Sequence, residues 1–316
     1  MHNLANAENY LIRSNPPPKK SVLALGVFDG VHLGHQKLMY TAIRAAKDCL
    51  PTPCSTGALS FWPHPQNVFR PDNPASQLTF PDEQAEIIKL VGLDYFGCFH
   101  FTKEFAALTP REFAQKILVD QLAVSGVVIG FNFRYGQKNT GNYQTLQAAG
   151  QEFGFQVWVC EPVEYQGQVI SSTRIRTELK VGNVEVASEL LGRPYFLKGQ
   201  VTHGFGRGKK LGFPTANLIV PNTRLIPASG VYGGRATIAG ETFLAAIFIG
   251  TSMTFGDFTP SVEVYILDWS GADLYGRVLQ VEFVHRLRSI TKFETGQELA
   301  GQIGRDVERI KQLVSK

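Results

Sequence analysis

Cysteine is scarce, with four in 316 residues (Cys49, Cys54, Cys98 and Cys160), and no two of them form a C-x-x-C pair. That spacing suggests neither a cysteine zinc site nor a disulfide framework, and it fits a reducing compartment. Long hydrophobic runs are absent as well. No stretch approaches the roughly 18 apolar residues that span a bilayer. The first 20 residues hold no apolar run ahead of Pro16-Pro17-Pro18-Lys19-Lys20, which argues against a secretory leader. The expectation is therefore a cytoplasmic protein with no membrane partner. Charge of one sign is also missing, because 31 Lys and Arg against 27 Asp and Glu leave a net charge of only +4. A dedicated nucleic-acid binder needs a concentrated basic surface or a reading motif, and neither a helix-turn-helix nor a zinc pattern is present. Small anionic ligands stay open. There is no internal repeat or low-complexity tract, and composition is silent on oligomeric state.

What is present is the composition of a folded chain rich in turns, with 44% hydrophobic residues, 18% charged residues, 31 Gly and 17 Pro. The length exceeds what one core usually organises, so two domains are expected. From residue 21 to about 170, short apolar runs at 22–26, 56–61, 95–99, 126–130 and 155–159 alternate with segments of helical period. That is the pattern of a parallel sheet with crossover helices. Leu38, Ala42, Ile43 and Ala46 mark one such helix, and Val184, Ala187, Leu190 and Leu191 mark another before Gly192-Arg193-Pro194 stops it. From Tyr195 the texture changes. Runs at 196–201, 230–238, 244–249, 262–267 and 278–283 are β-rich and separated by Gly or Asp turns, as in an antiparallel barrel. Leu299, Ile303, Val307, Ile310 and Val314 then form the stripe of a terminal helix. The expected division is an extension at 1–20, an α/β domain at 21–191 and a barrel domain at 192–316.

Chemistry concentrates where strands end. Gly26-Val27-Phe28-Asp29-Gly30-Val31-His32-Leu33-Gly34-His35 follows the first strand and opens a helix, at the edge where ligands bind in α/β sheets. Glycines let the backbone approach a phosphate chain, and a helix N-terminus offers free N–H groups and positive potential. His32 and His35, three apart, present both imidazoles on one side of that turn. Ile170-Ser171-Ser172-Thr173-Arg174-Ile175-Arg176 follows the last α/β strand and brings hydroxyls and Arg176 to a second helix start. A bare G-x-G would read better as a glycine turn and the Ser/Thr stretch alone as a helix cap, whereas H-x-G-H placed after a strand favours a nucleotide.

Together, H-x-G-H and I-S-S-T-x-x-R resemble the paired signature of the nucleotidylyltransferase superfamily, whose domain is Rossmann-like. The resemblance implies that His32, His35 and Arg176 stabilise ATP phosphates as an acceptor phosphate attacks the α-phosphorus and pyrophosphate leaves. It also makes Gly26, Phe28, Asp29, Gly30, Gly34, Ser171, Ser172 and Thr173 ATP- or phosphate-binding. Such transfers need alignment and charge stabilisation more than a protein nucleophile. Ser60-Phe61-Trp62-Pro63-His64-Pro65 and Gly130-Phe131-Asn132-Phe133-Arg134-Tyr135-Gly136 end two more strands and mix aromatic with polar groups, a composition suited to stacking a flat heterocycle. From Ser21 to about Lys311 the chain resembles the bacterial bifunctional riboflavin kinase/FAD synthetase family. Flavin contacts are then expected from Phe61, Trp62, Pro63, His64, Pro65, Asn132, Phe133 and Arg288.

The second half carries the same family's kinase signature at 204–217, including Gly206, Gly208, Lys210 and Gly212 around the phosphates. Thr215 and Asn217 offer oxygen ligands to Mg²⁺. Glu263 matches the family's catalytic carboxylate, which would orient and deprotonate the terminal ribityl hydroxyl. The expected substrates are riboflavin, FMN and ATP, with FAD as product. The sequence departs from the family where N-I-G-x-R-P-T-F becomes Phe248-Ile249-Gly250-Thr251-Ser252-Met253-Thr254-Phe255. Tyr265 stands for the usual histidine, and Ile290 for a glutamate. These changes leave two alternatives: an FAD synthetase with a weak or silent barrel, and a flavin-binding regulator without turnover.

Overall fold

The computed structural model describes residues 20–48, 54–203, 208, 211–254, 257–271 and 273–314, with backbone alone at 251–254 and 257–259. The chain divides into two compact units, with the boundary between Ser172 and Thr173.

In the first unit, β1 (Ser21–Leu25), β2 (Ser55–Trp62), β3 (Tyr95–His100), β4 (Val124–Gly130) and β5 (Gln156–Cys160) form one parallel sheet in the order β3-β2-β1-β4-β5. Every residue of β1 is buried, as a central strand covered on both faces requires. The helix Leu33–Asp48 returns the chain from β1 to β2 and buries Leu38, Ala42 and Ala46. The order reverses between β1 and β4, which opens a crevice at the carboxyl ends of those two strands. A two-residue hairpin, β6 (Glu164–Tyr165) with β7 (Gln168–Val169), leads to Ile170.

In the second unit, β8 (Tyr195–Thr202), β9 (Ala216–Ile219), β10 (Gly230–Ile238), β11 (Glu241–Thr254), β12 (Asp257–Ile266) and β13 (Val278–Arg288) close into an antiparallel barrel, β10-β11-β12-β9-β8-β13. Leu197, Tyr232, Ile247, Val264, Val281 and Phe283 fill it, all fully buried. The two-residue period of β12 turns Val262, Val264 and Ile266 inward and sends Glu263 and Tyr265 to the outer face. The helices Ser172–Val181 and Val184–Leu191 lie largely in this unit. Ala228 N–H donates to Leu179 O at 2.9 Å and Arg286 N–H to Glu185 Oε1 at 2.9 Å. The terminal helix Gly296–Val314 lays Ile310 and Val314 on the outer face of the barrel with Val231 and Leu287. Burial of each such side chain contributes about 1.5–3 kcal/mol.

Candidate functional site

The first site is the loop joining β1 to its helix. Phe28, Gly30 and Val31 have φ of +52°, +84° and +42°. Left-handed backbone at a bulky and a β-branched residue costs about 1–3 kcal/mol each and persists only where the surroundings over-determine it. Here they do. The Ser60 hydroxyl donates to Val27 O at 2.7 Å, Ser172 Oγ to Asp29 O at 2.8 Å, and Gly30 N–H to Thr79 Oγ1 at 2.8 Å. Asp29 is 2% exposed, and its Oδ1 accepts from the N–H groups of Leu78 at 2.9 Å and Thr79 at 3.0 Å. Phe28 is fully buried and meets His35 edge to face, with ring centres 5.3 Å apart.

The constrained loop delivers two histidines. His32 and His35 stack with ring centres 3.6 Å apart and planes 16° from parallel. His35 N–H donates to His32 Nδ1 at 3.3 Å, so in neutral His32 the ring proton sits on Nε2. Gly34 suits this packing, because a Cβ there would stand 3.1 Å from the His32 ring, a tight contact. Ser172 opens the helix Ser172–Val181, with Thr173 and Arg176 one turn apart behind it.

At the same sheet edge, Trp62 meets Phe80 edge to face at 5.8 Å, and His64 Nδ1 accepts from Gln66 N–H at 3.2 Å, capping the turn Pro65–Phe69. Phe61 packs among Phe99, Phe101 and Phe105, and Phe133 stacks on Tyr135 at 5.7 Å, so each ring is half-buried against the core. Asn132 is exposed beside them.

The second site lies on the barrel. Strand register sets Phe248, Glu263, Asn217 and Thr202 in one row across β11, β12, β9 and β8. Directly opposed residues share a face, so Glu263 and Asn217 point the same way. The Thr215 hydroxyl donates to Glu263 Oε2 at 3.3 Å. Gly208 O accepts from the N–H groups of Leu211 and Phe213, at 3.0 and 2.9 Å, closing a turn ahead of Thr215. A Cβ on Gly208 would lie 2.3 Å from Phe213 O, so only glycine fits that approach. Gly212 adopts φ +84° in the same turn. Phe213 meets Tyr265 edge to face at 5.4 Å, while Tyr265 and Phe248 pack on the cluster formed with the terminal helix. Arg288 is held by Asp306, with Nη2 to Oδ2 at 2.7 Å and Nε to Oδ2 at 3.0 Å.

Two family models match these two halves: one described as FAD synthetase over residues 14–174, the other as riboflavin kinase over residues 191–314. A Bacillus subtilis protein named bifunctional riboflavin kinase/FMN adenylyltransferase is 37% identical over 296 residues, covering 91% of this chain and 90% of that protein. The chain belongs to the bifunctional riboflavin kinase/FMN adenylyltransferase family. An Escherichia coli K12 protein of the same name is 36% identical over 97% of this chain and 94% of its own length. A crystal structure described as a macrolide-efflux protein from Streptococcus pneumoniae matches with a TM-score of 0.84 at 32% identity, covering 93% and 94% of the two chains. No helix among the described residues is long and apolar enough to cross a membrane.

Of the residues that the family resemblance singles out, the fold gathers Gly26, Asp29, Gly30 and His32 in one loop and Gly34 and His35 in the helix start that follows it, and Ser171 and Ser172 adjoin the loop through the bond to Asp29 O. Thr215, Asn217 and Glu263 converge on the barrel. Phe28 and Asp29 turn inward, to the core and to the 78–79 backbone. Gly206 and Lys210 lie outside the described residues, as do residues 1–19, Cys49 and the side chains of Ser252 and Met253. Thr79, Gln84 and Asp306 were missed, because isolated polar residues at no motif spacing give no signal until the fold buries them. Cys98 has no place in the chemistry, since burial pushes its thiol up to about 12.

Proposed function

We propose that this chain makes both flavin nucleotides: the barrel phosphorylates riboflavin to FMN, and the α/β unit joins FMN to the AMP part of ATP, giving FAD and pyrophosphate. The proposed substrates are riboflavin, FMN and ATP, and the proposed place of action is the cytoplasm. The observation that carries the reading is the convergence of Glu263 with Thr215, 3.3 Å away, and with Asn217, its cross-strand partner. It adds an alcohol-activating carboxylate to a chain that also keeps the phosphate loop of the first unit.

In the kinase step, Glu263 takes the proton from the terminal ribityl hydroxyl as that oxygen bonds to the γ-phosphorus and ADP leaves. Thr215 orients the carboxylate. The pairing of a hydroxyl and an amide with one carboxylate fits a hard cation, and Mg²⁺ ordinarily takes one or two protein oxygens together with substrate phosphates. Among the described residues no group of three or more His, Cys, Asp or Glu competes for that role. Thr215 and Asn217 would hold the ion, which when bound neutralises charge on the phosphates. In the adenylyl step, an FMN phosphate oxygen bonds to the α-phosphorus and the bond to pyrophosphate breaks. His32, His35 and Arg176 donate to the charged oxygens, and Thr173 and the loop amides orient them. Trp62, Asn132 and their neighbours face the flavin.

A second reading, an FAD synthetase with a silent barrel, draws on Phe248, which stands directly opposite Glu263 where the family carries asparagine. Product separation after Glu263→Ala distinguishes the two readings. The variant is expected to lose FMN formation and to convert supplied FMN to FAD at the parent rate. Unchanged FMN formation would remove Glu263 from the mechanism.

A further inference from the structure

The strained loop of the first unit has an anchor that the phosphate-binding motif does not include. We propose that Thr79 is a positioning residue for adenylyl transfer, its hydroxyl fixing the Gly30 amide and thereby the turn that aims His32 and His35. The inference rests on the adenylyl-transfer reading of this site.

Thr79 is 1% exposed and sits just ahead of the helix Pro81–Val91, about 50 residues from the loop it holds. Its Oγ1 accepts from Gly30 N–H at 2.8 Å and from Gln84 Nε2 at 3.4 Å, and lies 3.5 Å from Asp29 Oδ1. The hydroxyl proton therefore has one acceptor, the Asp29 carboxylate, and its lone pairs face two donors. This arrangement fixes the hydroxyl's direction. Asp29 in turn is held by the backbone N–H groups of Leu78 and Thr79 and braces the loop from within.

The bond falls within a strained stretch of the loop. Gly30 stands between Phe28, at φ +52°, and Val31, at φ +42°. Val31 N–H donates to Phe28 O at 3.0 Å, and Val31 O accepts from Gln36 Nε2 at 3.0 Å, which leads directly to the histidine-bearing helix start. A β-branched residue keeps a positive φ only under external constraint, and Thr79 supplies that constraint from across the fold. Without the hydroxyl, Gly30 N–H loses its bond to Thr79 and the turn relaxes. The phosphates would still meet the loop, but the histidines would be misaimed at the α-phosphorus.

The test compares Thr79→Val, which keeps the shape and removes the hydroxyl, with Thr79→Ser, which keeps the hydroxyl and removes a methyl group. Each variant, as full-length chain, is assayed for FAD from FMN and MgATP and, in the same preparation, for FMN from riboflavin. The expected result for Thr79→Val is a kcat for FAD formation about 10²-fold lower, as small misplacements cost in positioning-driven catalysis, with KM for MgATP little changed and riboflavin phosphorylation at the parent rate. Thr79→Ser should retain most of the kcat despite its smaller side chain. If Thr79→Val fails to fold, Thr79→Ala replaces it, and the Ser-to-Ala difference isolates the hydroxyl. A Val or Ala variant with parental kcat, or a Ser variant that falls as far as the others, would overturn the proposal. A wild-type chain that makes no FAD from FMN would refute the underlying reading instead, and the inference with it.

Discussion

Two imidazoles stacked at 3.6 Å with their planes 16° apart form an unusual pair of neighbours, and the loop that forces them together does so with left-handed backbone on both sides of Gly30. On the proposed reading, donors held this rigidly act on charge that develops in the transition state and need no rearrangement at that moment. Replacing His32 or His35 by Ala should therefore lower FAD formation from FMN about 10²- to 10³-fold, the usual loss for one such donor, while riboflavin phosphorylation continues and FMN accumulates. Steady-state rates of both products, measured on the same sample, check this. A His35→Ala chain that made FAD at the parent rate would show that its ring only packs on His32 and Phe28. At this scale the histidines were legible because their spacing is a motif. Asp29 was legible as a residue of the loop, while its hold on the 78–79 backbone was not, because only the fold brings those segments together.

Among the elements, the sheet and barrel strands announced themselves by apolar runs and by the switch from helical to two-residue period. The first-unit strands at 22–26, 56–61, 95–99, 126–130 and 155–159 all stand within a residue or two of their expected places. The short strand β9, Ala216–Ile219, offers only four residues and takes its place from its neighbours β8 and β12. The stripes of helices were legible, while the surfaces they cover were not, because periodicity names a face and no partner. The terminal helix shows why. Its stripe includes Asp306, 5% exposed, which an apolar pattern would exclude. Arg288 of β13 reaches that carboxylate with two nitrogens, and Gln302 Nε2 donates to Oδ1 at 2.9 Å. Removing one partner of a largely buried pair strands the other, at a cost of about 3 kcal/mol where, as here, the arginine keeps some solvent. Asp306→Ala should accordingly bring the barrel's urea transition to lower denaturant and speed amide exchange across 296–314. Exchange in that helix at the parent rate would mean that Ile310 and Val314 alone hold it down.

For the whole molecule, the central claim is that one chain carries two chemistries with separate catalytic groups, and the barrel is where that claim is most exposed. Thr215, Asn217 and Glu263 stand together, yet Phe248 and Tyr265 present aromatic surface where the family offers an amide and an imidazole. If those changes touch only binding of the flavin ring, KM for riboflavin rises and turnover at saturation is kept; if they displace the ribityl hydroxyl, turnover falls. The persistence of the carboxylate with its hydroxyl and amide neighbours favours the first outcome. The most direct measurement is incubation of the purified full-length chain with MgATP and saturating riboflavin, followed by separation of the flavins over time. The account predicts that FMN appears first and FAD follows at its expense. Conversion of supplied FMN to FAD, with no FMN ever formed from riboflavin, would contradict it.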